Sequence, residues 1–307
     1  MTKAIYAATA EYEIQIRQLP VKRPVSVSGI LRHMGVSRFG YHAWKTHTPS
    51  NAQKRKEEIM DKTREIYEAS HQNYGAPKIT RELEKSGFHV SEKTVGNYMR
   101  SMGIRAQWIK PFTHTTVDSD FSSRLQNILD EKFNPDTSNA VWVSDITYIW
   151  TFEGFVYLTS IMDLFSRKII SWVLSDTLEA SWVVEAVEKA KRQRYITQPL
   201  VFHSDRGCQY VSEAFLKATD GMINSYSKKA YPWDNACIES FHALIKREWL
   251  NRFKITDYGH AYRLVFEYIE TYYNTVRTHS HCGYLSPNQY EAAYFLKAKE
   301  SAVSFAS

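Results

Sequence analysis

Three carboxylates stand where they can do chemistry: Asp145 midway along an apolar, β-patterned run, Asp205 at the C-terminal end of the short run VFHSD, and Glu239 in a long helical run. A carboxylate within or at the end of a strand is costly to bury unless it is paired, hydrogen-bonded or bound to a cation. Three that converge suit Mg²⁺, which takes oxygen ligands, keeps several waters and leaves positions for substrate phosphates. Two such ions roughly 3.5–4 Å apart activate an attacking oxygen and stabilise a leaving one in an in-line phosphoryl displacement. Glu239, His242 and Lys246 fall at i, i+3 and i+7, one face of a helix over about two turns. A base-like imidazole and a phosphate-binding ammonium therefore accompany the third carboxylate. Isolated aspartates in such places also serve as caps, turn formers or surface charges. Asp163, in DLFSR, is a rival ligand, but its place in a turn favours a structural role. His203, Cys208, His279, His281 and Cys282 fit no common zinc spacing. P-loop, serine-hydrolase and zincin motifs are absent from the sequence.

The elements that must position these groups are legible around them. AVWVSDITYIW, GFVYLTSIMDLFS and RKIISWVLSD read as three strands with a turn over Asp163 to Arg167, an antiparallel start. LEASWVVEAVEKAKRQR is helical, PLVFHSD a short buried-type strand, SEAFLKAT a helix and MINSYS a strand. DNACIESFHALIKREWLNR follows as a helix with Asp234 at its cap and Ile238, Leu244, Ile245 and Trp249 at helical spacing. The order βββαβαβα predicts an α/β layer structure on a mixed sheet.

The front of the chain is helical. Ser26 leads one short run and Ser37 a second, which carries Phe39, Tyr41 and Trp44, with Gly35 in the turn between them: a helix-turn-helix pattern. The pattern repeats after the charged stretch Lys54 to Glu68. Pro77 begins a helix through Glu84, Gly87 ends it, and Ser91 caps another that turns Val95, Tyr98 and Met99 inward. Its outer face presents Lys93, Thr94, Asn97 and Arg100, side chains suited to phosphates and base edges in a major groove; Ser37 and Arg38 hold the equivalent place in the first pair. Pairs of this kind are also ordinary packing units. Residues 111 to 139 are rich in Pro, Ser, Thr and Asn and read as a linker with one short helix, Ser122 to Leu129.

Charge follows the same division. The chain carries 39 Lys plus Arg against 33 Asp plus Glu, a formal +6, with a pI near 9.0. Residues 1–115 carry a net +9 and residues 116–307 a net −3, so attraction for a polyanion is concentrated at the front. Hydrophobic residues make up 43%, which excludes a disordered or low-complexity chain. No apolar run approaches the length of a membrane span and the first residues lack a signal peptide's pattern, so a cytoplasmic protein is expected. Cys208, Cys237 and Cys282 form no C-x-x-C pair and are expected to be reduced thiols.

The strings VWVSDITYI, DLFSRKIISW, HSDRGCQYVSEAF, YPWDNACIESFHALIKRE and YNTVRTHSHCGYLSP resemble the OrfB-type DDE transposases of the IS-three group of bacterial insertion sequences, relatives of retroviral integrases. The resemblance runs from about residue 25 to 293. It implies an RNase H-like catalytic core behind all-helical helix-turn-helix regions, with Asp145, Asp205 and Glu239 as the DDE triad and Lys246 as the basic residue seven positions after the glutamate. Between Asp205 and Glu239 lie 33 residues, slightly fewer than the family usually places there, and the shortening is expected around ATDGMINSYS. YNTVRTHS matches the family's C-terminal motif, so Tyr273, Asn274, Arg277 and His279 inherit a supporting role near DNA.

The regions expected are therefore helix-turn-helix over 1–50, a second over 51–115, a linker over 116–138, the catalytic core over 139–255 and a helical C-terminal segment over 256–307. The expected activity is a Mg²⁺-dependent DNA transposase, with Mn²⁺ as a substitute ion, in which water and then a DNA 3′-hydroxyl attack phosphodiesters. Arg206, Lys228, Lys229 and Arg247 join Lys246 as phosphate contacts. The resemblance further implies a circular copy-out intermediate, a homo-oligomer on paired terminal inverted repeats, target DNA, and an upstream OrfA product or fusion as partner, in a bacterial, nucleoid-associated setting. The alternatives are a DNA-binding regulator of element ends with an inactive core, and a nuclease that cuts without joining.

Overall fold

The computed structural model describes residues 2–18, 25–106, 125–228 and 231–304. The chain forms two compact units that part between Lys62 and Thr63. The first contains α1 (Thr2–Gln18), α2 (Val27–His33), α3 (Arg38–Lys45) and the start of α4 (Asn51–Ala69). Ser26 and Ser37 cap α2 and α3, accepting from the amides of Gly29 and Gly40 at 3.0 and 3.2 Å, which satisfies donors that a helix start leaves orphaned. Gly35, at φ +66°, makes the turn that an L side chain resists. Leu31 and Tyr41 are buried against Tyr6 of α1. α1 buries only Tyr6 and Thr9. Polar contacts to Glu13 help hold it, from Tyr41 Oη at 2.8 Å and Lys45 Nζ at 2.7 Å.

In the second unit, α5 (Ala76–Lys85) and α6 (Glu92–Ser101) form the second helix pair. Pro77 lies in the first turn of α5, where a missing N–H costs nothing. Ser91 caps α6, and Ile79, Leu83, Val95 and Met99 are buried. The sheet comprises β1 (Val141–Thr151), β2 (Gly154–Asp163), β3 (Lys168–Ser175), β4 (Val201–Ser204) and β5 (Ile223–Tyr226). Its order is β3-β2-β1-β4-β5; β1, β2 and β3 pair antiparallel, whereas β4 and β5 join parallel. The helices are α7 (Ala180–Gln193), α8 (Glu213–Ala218), α9 (Ala236–Glu248), α10 (Tyr258–Phe266), which continues as a π-helix over Glu267–Tyr273, and α11 (Pro287–Ser304).

Alternation along β1 sorts its residues between two layers. Val141, Val143 and Ile149 pack with Ile238, Phe241 and Ile245 of α9 and with α10. Trp142 packs on the opposite face with α7 and α8. The result is the RNase H-like arrangement of a mixed five-stranded sheet between helical layers, in the element order read from the sequence.

Two expectations are corrected, those for residues 125–128 and for Asp234. The second helix pair belongs to the same compact unit as the sheet, because polar contacts bind it to the C-terminal segment: Tyr74 Oη accepts from the Thr278 amide at 2.8 Å, and Lys78 Nζ donates to the Thr278 carbonyl at 2.9 Å. Residues 125–128 are not helical. They lie beside β5, whose free edge needs partners: the Tyr226 amide donates to the Gln126 carbonyl at 2.9 Å, and Ser225 Oγ accepts from the Ile128 and Leu129 amides. The part of that expected helix before Leu125 lies outside the described residues. Asp234 does not cap α9, whose first flanking residue is Asn235. Its Oδ2 accepts from the Lys228 amide at 2.6 Å instead.

Candidate active site

Asp145 shares the parity of Val143 and so emerges on the α9 face of β1. His242, one turn along α9 from Glu239, reaches it: Nδ1 lies 3.2 Å from Asp145 Oδ2, and Nε2 lies 3.3 Å from Ser160 Oγ on β2. With Nδ1–H donating to the carboxylate, Nε2 accepts from the serine hydroxyl. The ring is 5% exposed, so it orients Asp145; it does not present the free base that its helical spacing suggested.

Asp205 follows β4 immediately, where the strand ends and the chain turns. Its Oδ1 accepts from the Gly207 amide at 2.9 Å. Gly207 leaves the room this needs, since a Cβ there would meet Asp205 Oδ1 at 3.1 Å and Gln209 Oε1 at 3.0 Å. Beneath the two aspartates, the fully buried Tyr210 hydroxyl pairs with Ser144 Oγ at 2.8 Å. Burial first, then the charges of Asp145 and Asp205, drive its pKa well above normal.

Glu239 projects from the first turn of α9. Partial burial, then the like charges of Asp145 and Asp205, push its pKa up to about 7. The three carboxylates thus share one electrostatic site. Among the described residues, no three His, Cys, Asp or Glu side chains stand close enough to enclose an ion. The donor set fits a hard cation: all oxygen, and like charges that a cation relieves. Lys246, two turns beyond Glu239, sets its Nζ over the Tyr148 ring, 4.4 Å from the centroid. Burial lowers its pKa, and the Asp145 charge opposes that.

The other expected residues divide. Arg38, Lys93, Asn97 and Arg100 are exposed on their helices, Lys228 is exposed, and Arg247 is half-buried. Lys229 lies outside the described residues. Ser37 is engaged as a cap, and Thr94 bonds Ser91 Oγ at 2.9 Å. Lys228 Nζ pairs with Asp130 at 3.2 Å. Arg206 Nε donates to the Ser227 carbonyl at 2.7 Å. Asp163 is buried, accepting from Ser138 Oγ and the amides of Asn139 and Phe165.

The side chains of the YNTVRTHS motif make protein contacts. Arg277 is 5% exposed, and its Nε and Nη2 each donate to the Glu248 carboxylate at 2.7 Å. Asn274 exchanges two hydrogen bonds with the backbone of Ile169 on the sheet-edge strand β3, Tyr273 Oη donates to the Arg167 carbonyl, and His279 Nδ1 accepts from the His281 amide. These side chains are spent on protein. Sequence reading missed His242, Tyr210 and Glu248 in their positioning roles, and only the i, i+3 spacing of His242 from Glu239 gave a signal.

The sequence matches integrase core domain families over residues 135–230 and 221–287 and an HTH-like domain family over residues 54–112. It is 35% identical to the transposase for insertion sequence element IS904 of Lactococcus lactis subsp. lactis (strain IL1403), over 79% of this chain and 97% of that protein. It is 33% identical to transposase InsF for insertion sequence IS3A of Escherichia coli (strain K12), over 87% of this chain and 94% of that one. A chain of the simian T-cell lymphotropic virus intasome, solved in complex with PP2A regulatory subunit B56 gamma, aligns at TM-score 0.42 and 15% identity, over 74% of this chain and 73% of that chain.

An integrase-type core on this sheet defines a DDE-type polynucleotidyl transferase. The chain belongs to the IS3 family of insertion-sequence transposases, and its reaction class is DNA transposition. No helix among the described residues is long and apolar enough to cross a membrane.

Proposed function

We propose that this transposase hydrolyses a phosphodiester at each end of its element and transfers the freed 3′-hydroxyl to a second phosphodiester, through a circular copy-out intermediate. The observation that supports the reading is the placement of Asp145 on β1, Asp205 directly after β4 and Glu239 in the first turn of α9 within an integrase-type core. These three would hold Mg²⁺, or Mn²⁺ in its place. When bound, the ions supply Lewis-acid stabilisation of the attacking and leaving oxygens. His242 holds Asp145 aimed through its Nδ1. Gly207 lets the chain fold back so that its amide fixes Asp205. Lys246 offers its ammonium to a substrate phosphate as charge develops on it.

Lys93, Asn97 and Arg100 on α6 and Arg38 on α3 would contact the terminal repeats, since an exposed basic helix face suits a major groove. Two or more copies on paired ends, with the OrfA product as partner, complete the proposed assembly, which acts on target DNA in the bacterial cytoplasm at the nucleoid. A plasmid carrying the gene's flanking sequences tests the reading. The parent chain with Mg²⁺ should cut and join these ends, whereas Asp205→Ala and Glu239→Gln should lose both steps and retain DNA binding. Binding without products, even with the upstream frame fused on, would overturn the catalytic reading in favour of an end-binding protein.

A further inference from the structure

Beyond Asp145, the outer half of β1 carries an unusual load. The alternation that buries Trp142 brings Tyr148 and Trp150 to the same face, yet they are 39% and 59% exposed, and Phe155 on β2 is 48% exposed. Phe155 is the register partner of Trp150. Its ring meets Trp150 at 4.9 Å and Tyr148 at 5.2 Å between centroids, both edge to face. β4 pairs only with Val141 to Val143, so beyond Asp145 that edge of β1 has no strand partner among the described residues. Lys246 sits on the Tyr148 ring at the inner end of the cluster and is near enough to feel the Asp145 charge. Leaving Trp150 and Phe155 about half exposed beside Tyr148 forgoes burial that the rest of the sheet achieves.

We propose that Tyr148, Trp150 and Phe155 form a stacking platform for unpaired nucleotides of the DNA strand held at the carboxylates. The chemistry is that of single-strand binding sites: aromatic faces take bases without regard to sequence, and a neighbouring cation takes the phosphate. Continuity with the reacting centre decides for this occupant. The platform lies on the face of β1 opposite the Asp145 side chain, and Lys246, which reaches the Tyr148 ring from α9 and feels the Asp145 charge, is the group that joins it to the carboxylates. The inference rests on the reading of this site as a DNA-cutting centre.

The test compares the full chain's affinity, in EDTA so that cleavage does not enter, for a labelled blunt duplex and for the same duplex with a short single-stranded 3′ tail containing 2-aminopurine. The parent should bind the tailed duplex more tightly and quench its 2-aminopurine. Trp150→Ala with Phe155→Ala should weaken tailed binding about tenfold, abolish the quenching and leave blunt-duplex affinity unchanged, while Trp150→Phe should restore much of both. A parent indifferent to the tail, or a double variant that keeps the preference, overturns the proposal. So does a double variant with unchanged binding that has lost self-association in sedimentation, which would make the patch a contact between copies of this chain. Plasmid cleavage in Mg²⁺ separates the two readings: tail preference without cleavage removes the catalytic reading alone, and cleavage without tail preference removes the platform alone.

Discussion

Asp205 shows how narrowly a catalytic side chain can depend on a neighbour with none. The Gly207 amide holds one carboxylate oxygen at 2.9 Å, and a Cβ at that position would press on the same oxygen at 3.1 Å. The carboxylate oxygen cannot swing clear without giving up its bond to the amide. Gly207→Ala should therefore lower the cleavage rate on the order of tenfold while leaving DNA affinity and thermal stability close to the parent's. Single-turnover cleavage, anisotropy binding and a melting curve on the same preparations check this, and an unchanged rate would show that Asp205 needs no such support. His242 makes the complementary case. Its spacing from Glu239 suggested a base, but burial between Asp145 and Ser160 commits both ring nitrogens.

At the scale of elements, α9 carries the site at one end and an anchor at the other. Glu239 lies in its first turn, and Glu248, its last residue, takes two hydrogen bonds from Arg277 and a third from Tyr268 Oη at 2.8 Å. Burial works against the Glu248 carboxylate, but Arg277 outweighs it and holds the pKa below its usual value. Removing one partner of a buried pair strands the other charge. Arg277→Met should cost about 3 kcal/mol of unfolding free energy, and Arg277→Met combined with Glu248→Gln should recover part of it, as urea titrations would show. If the single variant were as stable as the parent, the pair would not be anchoring α9.

Across the second unit, the helix pair α5–α6 is bound to the C-terminal segment through Lys78, an ammonium in an unfavourable place. Burial, then the Arg277 and Arg247 charges, lower its pKa to about 7, against the pull of Glu248 and Glu82. The unfolded chain keeps this proton up to the ordinary lysine pKa near 10.5, so between pH 7 and about 10 the unfolded state binds more protons than the native one. Stability from this group therefore rises with pH across that window and is least favourable below it. Melting temperatures of Lys78→Met should lack the increment that the parent gains from pH 7 to about pH 9. Parallel curves for the two proteins would place the lysine's pKa at its ordinary value.

What the sequence determined was whatever local physics writes in a short window. The serine caps at Ser26, Ser37 and Ser91, the β-alternation around Asp145, the end of VFHSD at Asp205 and the helical spacing of Glu239 and Lys246 together specified the element order and the candidate carboxylates. Tertiary structure alone decided which polar groups face one another. The Glu248–Arg277 pair spans 29 positions, the Tyr74–Thr278 bond 204 and the His242–Asp145 bond 97, separations at which no periodicity survives. Arg277 in YNTVRTHS carries the same charge whether it meets a phosphate or a buried carboxylate. Which of these it meets depends on burial, and burial is a property of the packed chain.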